Sequence, residues 1–279
     1  AEWADKNERT KIGFDPIKEN DRCISTRSFI GAKTKKMQSR VKQMQNRIAH
    51  EIEVKEGLLS DIERAAELRL TPLVHHKNIL VNVRDYSFKY KDAEQPVLNN
   101  ITFDVKKGDR IALVGQNGCG KSTLIKRVLQ SAGMDSGLGD YIESGICETA
   151  SGLIISYVSQ DTSFLHGSIW DFCDEKNLDR TMFGALLRQL DLERVQFTKN
   201  MENFSEGQKK KVLLATSLLT PAHLYIWDEP LNYIDIFSRM QIEKLLNEYQ
   251  PTLLFVEHDV RFRELVANKT LELSSSQLF

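Results

Sequence analysis

No run of about 18 consecutive apolar residues occurs in this 279-residue chain, so no segment reads as a membrane-spanning helix. The first ten residues, AEWADKNERT, lack the apolar stretch of a secretory signal. Cysteine is scarce. Cys23, Cys119, Cys147 and Cys173 are scattered and form no CxxC pair. That argues against a zinc ribbon or a disulfide framework and fits a reducing cytoplasm. An excess of one charge is also missing: 38 Lys+Arg face 39 Asp+Glu, a net of −1. There is no internal repeat and no low-complexity tract. What is present, 41% hydrophobic and 28% charged residues, is enough for a core and excludes a wholly disordered chain. At roughly 150 residues per domain, the length allows one large domain with an appendage, or two small ones. The chain opens on Ala1 rather than Met, which suggests processing or a piece of something longer.

The near-zero net charge conceals an asymmetry. Residues 1–78 carry sixteen Lys+Arg and twelve Asp+Glu, a net of +4, and the remainder carries −5. Between Arg22 and His50 stand Arg22, Arg27, Lys33, Lys35, Lys36, Arg40, Lys42 and Arg47, with no acid among them. Two readings stay open: an electrostatic footprint for a polyanion, or a solvated helix face.

A helical pattern runs from about Lys33 to Leu70. Met37, Val41, Met44 and Ile48, then Ile52, Leu59, Ile62 and Ala66, form a narrow apolar stripe of the coiled-coil kind. Such a helix would be roughly 57 Å long at 1.5 Å per residue. It needs a partner to bury its stripe. We expect an antiparallel hairpin with its tip at Gly13–Gly31 and most of its first helix before Ala1. Thr71-Pro72 should end the helix, because proline disfavours helix in the residue before it. From Ile79 the pattern alternates as strands do, and NITFDVKKGDRIALVG reads as two further strands around a Lys-Gly-Asp turn. Strands and helices then alternate to the end. The expected fold class is α/β with a largely parallel sheet, in a domain covering 79–279, preceded by a long α-helical arm over 1–78.

Two motifs carry chemistry. Gly115-Gln116-Asn117-Gly118-Cys119-Gly120-Lys121-Ser122 fits G-x-x-x-x-G-K-[ST] between a strand and a helix. Its glycines let backbone amides curl around phosphate oxygens, and the helix N-terminus adds partial positive charge. Lys121 would reach the β- and γ-phosphates, and Ser122 would hold Mg²⁺. Cys119 reads as a tolerated small residue rather than a redox switch. Leu224-Tyr225-Ile226-Trp227-Asp228-Glu229 is an apolar strand ending in two acids. Asp228 suits Mg²⁺, and Glu229 stands where a carboxylate could polarise an attacking water. Trp227 reads as core.

Between these motifs lies NFSEGQKK, which resembles the LSGGQ signature of ATP-binding cassette proteins through Ser205, Glu206, Gly207 and Gln208. The other cassette motifs follow in order. Tyr90 matches the aromatic that stacks on adenine, Gln160 in YVSQ the Q-loop glutamine, LNYID ending in Asp235 the D-loop, and His258 in VEHD the switch histidine. Taken singly, Tyr90 would be a packed strand tyrosine, Gln160 a surface amide and His258 a structural histidine. The resemblance covers Ile79 to about Leu273. It implies an ATP-binding cassette fold: a RecA-like parallel core with antiparallel β and helical subdomains. It implies ATP held by Tyr90, Gly115, Asn117, Gly118, Cys119, Gly120, Lys121, Ser122 and Thr123, with Mg²⁺ at Ser122, Gln160 and Asp228. Glu229, Gln160 and His258 are the implied catalytic set. In that family two cassettes sandwich two ATP molecules, so Ser205 and Gly207 would face a nucleotide held elsewhere. Glu206 departs from the second glycine of LSGGQ, and a carboxylate aimed at the γ-phosphate would be repelled. We expect it to point away.

The preceding charged helix resembles the interdomain arm of the ABC-F branch, and the run FSEGQKKKVLLATSLLTPAHLYIWDEPLNYIDIFSRMQIEKLL resembles its antibiotic-resistance type of the Lsa and Vga kind. Housekeeping members usually read TNHLD and VSHD where this chain reads LNYID and VEHD. The resemblance implies ribosome protection, with the basic arm meeting rRNA and P-site tRNA through phosphate contacts. It also implies a second cassette as partner, either a missing first half or another copy of this chain, and no membrane insertion. Weak hydrolysis by the isolated chain is expected. The alternative reading is the ATPase subunit of a membrane transporter.

Overall fold

The structure, a computed structural model, describes residues 70–273. The chain divides into two units, Ala1–Arg64 and Ala65–Phe279, and the described residues belong to the second. The expected arm helix, its hairpin tip and the basic residues from Arg22 to Arg47 lie outside the described residues. Leu70, expected as the last helical residue, is not helical; it is buried in the non-regular stretch that leads into Pro72.

Two sheets form the unit. An antiparallel sheet is made of β1 (Ile79–Tyr90), β2 (Leu98–Lys106) and β4 (Tyr141–Thr149), with β1 in the centre. A parallel sheet takes β3 (Arg110–Val114), β5 (Ile155–Val158), β6 (Leu224–Asp228), β7 (Leu253–Val256) and β8 (Lys269–Glu272), in the order β5-β6-β7-β3-β8. The strands on either side of the Lys-Gly-Asp turn are therefore no hairpin: β2 joins one sheet and β3 the other. The helices are α1 (Lys121–Ser131), α2 (Ile169–Glu175), α3 (Arg180–Gln189), α4 (Glu206–Leu219), α5 (Ile236–Tyr249) and α6 (Val260–Val266). The fold is the expected mixed α/β nucleotide-binding cassette.

Strand periodicity explains the layering. Successive side chains of a strand point to opposite faces, and a parallel sheet covered on both faces is apolar throughout. In β6, Leu224 and Ile226 enter one core while Tyr225 and Trp227 enter the other. In β7, Leu254 and Val256 join the first core, and Leu253 and Phe255 the second. The first core also holds α1, through Leu124, Ile125, Val128 and Leu129, together with the inner face of β1. The second holds α2 to α6. Trp227 is fully buried, and its indole N–H donates to the Ser217 hydroxyl at 2.9 Å, which satisfies its one polar atom. Gly115–Ser122, Asp228–Glu229 and His258 lie at or just past the C-terminal ends of β3, β6 and β7, where ligands bind in open α/β sheets.

A bulge in β1 shifts its parity. Val81 and Val83 are buried before it, and Tyr86 and Phe88 after it, with a register break between Val83 and Tyr86. Asp85 sits at φ 48° within the break. Across β4, a Cβ on Gly145 would lie 2.3 Å from the Asp85 carbonyl oxygen, so only glycine lets the bulge close. The parity change puts Tyr90 on the same face as Tyr86 and Phe88, toward α1.

Candidate active site

The phosphate loop joins β3 to α1. Gly120, the residue that opens α1, has φ 98°, and a Cβ there would lie 2.5 Å from Leu98 Cδ2. At Gly115 a Cβ would meet the Leu273 carbonyl oxygen at 2.4 Å. Both positions need glycine because neighbouring chain closes over the loop. Cys119 is buried in the core, as a small apolar residue would be, while Asn117 and Gly118 are exposed at the rim. The first turn of α1 has no acidic residue, so its N-terminal amides keep their positive end for an anion. Lys121 Nζ donates to the carbonyls of Gly115 at 2.8 Å and Gln116 at 3.0 Å. It is thus held under the loop, within reach of its mouth. Tyr90, delivered by the bulge, contacts the first turn of α1: its hydroxyl lies 3.2 Å from Thr123 Oγ1.

Ser122 and Asp228 meet next to the loop. The Ser122 side chain stands close enough to the Asp228 carboxyl to draw its pKa down. Asp228 is 2% exposed, and its Oδ1 has no partner among the described residues. Burial pushes the Asp228 carboxyl up, and the Ser122 side chain draws it partly back. A buried, half-unpartnered carboxylate beside a hydroxyl fits a divalent cation that also binds phosphate oxygens. Among the described residues no group of three or more His, Cys, Asp and Glu could hold a metal on its own. The phosphates would have to complete this site.

Glu229 is the point of convergence. Its Oε2 accepts from Gln160 Nε2 at 2.9 Å and from Asn232 Nδ2 at 2.7 Å, and its Oε1 lies 3.4 Å from His258 Nε2. The loop after β5, the D-loop and the switch loop after β7 thus all reach one carboxylate. Glu229 itself has φ 50°, a left-handed conformation that is costly for a non-glycine residue and concentrated at functional sites. The structure brings Gln160, Glu229 and His258 together, as the motif order suggests.

Three further residues frame this centre, and reading the sequence alone did not single them out. Asn232 lies inside the LNYID motif. Glu257, in VEHD, is 4% exposed. Lys210, in the run after the signature, is 2% exposed, and its Nζ donates to the Ser159 carbonyl at 2.8 Å. Burial lowers the Lys210 ammonium, while Asp228, Glu229, Glu257 and Glu206 raise it. The only signal for Lys210 was its place in a motif. A triplet of lysines otherwise reads as solvated.

The signature residues open α4. Ser205 Oγ accepts from the Gln208 amide at 3.3 Å and Gln208 Oε1 accepts from the Ser205 amide at 3.0 Å, a reciprocal capping box. Glu206 accepts from the Thr162 hydroxyl at 2.6 Å and from Lys209 Nζ at 3.2 Å, and these bonds hold its carboxyl below the usual range. The carboxylate is occupied by these two neighbours. Gly207 faces the D-loop, where a Cβ would lie 2.5 Å from the Tyr233 carbonyl oxygen.

A glycine loop at a helix N-terminus, a Ser–Asp pair beside it, and a glutamate met by a glutamine and a histidine from two other loops define an ATP-binding cassette of the ABC type. The ABC transporter family pattern matches residues 98–232. The chain is 31% identical over 276 residues to the ATP-binding protein YdiF of Bacillus subtilis, covering 94% of this chain and 40% of that protein. It is 25% identical over 286 residues to the ribosome protection protein VmlR of the same organism, covering 99% of this chain and 47% of that one. An ABC transporter F family member of Arabidopsis thaliana is 26% identical over 71% of this chain. The chain thus spans less than half the length of the first two relatives. Among solved structures, the ATP-binding subunit of an ABC transporter superposes with a TM-score of 0.57 at 25% identity, covering 71% of this chain and 88% of that one. Among the described residues no helix is long and apolar enough to cross a membrane.

Proposed function

We propose that this chain is the second ATP-hydrolysing cassette, with its preceding arm, of a cytoplasmic ABC-F protein that acts on the ribosome and protects it from antibiotics. The observation that carries the hydrolytic part is the convergence of Gln160, Asn232 and His258 on Glu229, beside the Ser122–Asp228 pair. Residues 1–78 serve as the arm and 79–279 as the cassette. The similarity to VmlR over 99% of the chain, arm included, supports the ribosomal part.

The chemistry follows from the positions. Tyr90 stacks on adenine. The loop amides and the N-terminus of α1 receive the phosphates, and Lys121 exchanges the carbonyls of Gly115 and Gln116 for β- and γ-phosphate oxygens. Ser122, Asp228 and Gln160 would hold a Mg²⁺ ion, which would supply positive charge against those oxygens. Glu229 takes the proton of the water that attacks the γ-phosphorus, and the bond to the bridging oxygen breaks to give ADP and phosphate. Gln160 and His258 hold the Glu229 carboxylate in line. Ser205 and Gly207 face the nucleotide of a second cassette, so the isolated chain hydrolyses ATP weakly.

Sedimentation tests the proposal. The full-length parent, with Glu229 and its counterpart in the first cassette changed to Gln, is centrifuged with bacterial ribosomes and ATP across a salt series. ATP-dependent, salt-sensitive co-sedimentation supports it. Absence of binding at every salt concentration overturns it and favours a transporter subunit, the reading to which the structural neighbour points.

A further inference from the structure

Outside the nucleotide site, α2, α3 and the 3₁₀ turn Arg194–Thr198 frame a cavity of about 490 Å³. None of its lining residues belongs to the cassette motifs. Its apolar floor is a ring pair: Trp170 and Phe197 have centroids 5.6 Å apart and planes inclined by 32°. Gly184 makes room for the pair, since a Cβ there would lie 3.1 Å from Trp170 Cη2. Every charged residue that lines the cavity is an arginine: Arg180, Arg188 and Arg194. Arg180 is tied to Asp174. Arg188 spends only its Nε, on the Gly184 carbonyl at 3.1 Å. Arg194 makes no hydrogen bond or ion pair among the described residues. The acids nearest in the chain, Asp171, Asp174, Asp179, Asp191 and Glu193, do not line the cavity, and Asp174 neutralises Arg180 alone.

We propose that this cavity binds one unpaired nucleotide of an RNA strand: the base on the Trp170–Phe197 pair, the flanking phosphates on Arg188 and Arg194. Base–aromatic stacking and arginine–phosphate contact are how single-stranded nucleic acid is held, and stacking tolerates any base. Guanidinium groups suit phosphate through their planar fork of donors. Both arginines are exposed at the rim, where a continuous backbone can pass. An acidic helix would match the charge but would leave the stacked rings without a planar partner. The inference rests on the ribosomal reading above, because it names the kind of contact this face makes there.

The test uses the whole 279-residue chain and a labelled single-stranded RNA decamer at low salt. Anisotropy reports binding, and tryptophan emission reports stacking. Changing both Arg188 and Arg194 to Glu is expected to weaken binding at least tenfold. It should also flatten the log–log salt slope by roughly 1.4, at about 0.7 per lost phosphate contact. Trp170→Phe should remove the share of the RNA-induced quenching that comes from Trp170, the other indoles being Trp3 and Trp227, while leaving the melting temperature unchanged. A double Arg→Gln variant serves if charge reversal perturbs folding. Adenosine monophosphate should compete poorly. Equal binding by the arginine variants, or equal quenching in Trp170→Phe, overturns the proposal; so does effective competition by the mononucleotide. If the parent protein still co-sediments with ribosomes in that event, the ribosomal reading stands and this cavity alone is excluded from it.

Discussion

The Glu257 carboxylate joins two loops that meet beside Glu229: its Oε1 accepts the Leu231 amide at 2.8 Å and its Oε2 the His258 amide at 3.0 Å. Leu231 belongs to the D-loop and His258 to the switch loop. Burial pushes the Glu257 carboxyl up, while these amides and that of Asp259 draw it down. Removing it leaves buried N–H groups without acceptors, at a cost of about 1–3 kcal/mol each. Glu257→Ala should therefore lower stability by about 2 kcal/mol, read by denaturant unfolding, and Glu257→Gln by less, since it keeps one acceptor. Hydrolysis should slow more than ATP affinity falls. A Glu257→Ala variant as stable as the parent chain would remove the argument.

Gly207 offers a sharper steric test. Its Cα faces the Tyr233 carbonyl so closely that a methyl group would sit 2.5 Å from the oxygen. Tyr233 is already in a left-handed conformation, φ 65°, and the residue is 77% exposed. The D-loop has to move to admit alanine. We expect Gly207→Ala to destabilise the fold by about 1–3 kcal/mol, as overpacking does. Gly207 lies inside α4 and has no positive φ, so the loss measures the clash and not backbone strain.

The nucleotide pocket can be checked without hydrolysis. Lys121→Ala removes the one buried ammonium that the phosphate loop holds ready, so affinity for a fluorescent ATP analogue should fall at least tenfold. Ser122→Ala should leave metal-free nucleotide binding nearly intact but weaken the Mg²⁺-dependent part, because Asp228 loses its hydroxyl neighbour. Fluorescence titrations with and without Mg²⁺ separate the two. Equal Mg²⁺ dependence in Ser122→Ala and the parent chain would place the cation elsewhere.

Much of this site was legible before any coordinates. The strands that lead into Gly115–Ser122 and into Asp228–Glu229 were legible, because an apolar run followed by glycines or acids marks where a buried strand surfaces, while Gln160 and His258 were legible only through motif order. The β1 bulge was also visible in principle: the apolar alternation Val81, Val83 resumes out of phase at Tyr86 and Phe88. Glu257 and Lys210 were not legible as buried groups. Charged residues are rarely buried unless paired, and their partners are backbone groups and charges distant in the chain. The division of β2 and β3 between two sheets was hidden for a similar reason. A short turn between strands reads as a hairpin unless the long-range partners, here β7 and β8, are known.

Asp235 links the D-loop to acid stability. It caps α5, with Oδ1 accepting the Ser238 amide at 2.9 Å, and its Oδ2 lies 2.7 Å from Lys211 Nζ. Burial alone would raise its carboxyl; Lys211 and Ser238 outweigh that and bring it from 3.8 down to about 2. A carboxyl depressed in the folded state contributes stability above its unfolded value, and that contribution is lost as pH falls through the folded one. The window here runs from about 4 down to about 2. Asp235→Asn keeps a capping oxygen but cannot titrate and loses the ion pair. At neutral pH it should be less stable by about 1 kcal/mol, a value reduced for the partial exposure of the pair. Within the acid window the difference between parent and variant should shrink toward zero, even as other depressed carboxylates such as Glu143 weaken both chains alike. Urea unfolding of the two chains at several pH values measures that difference. A gap that persists unchanged to pH of about 2 would assign the loss to the cap geometry and not to the charge on Asp235.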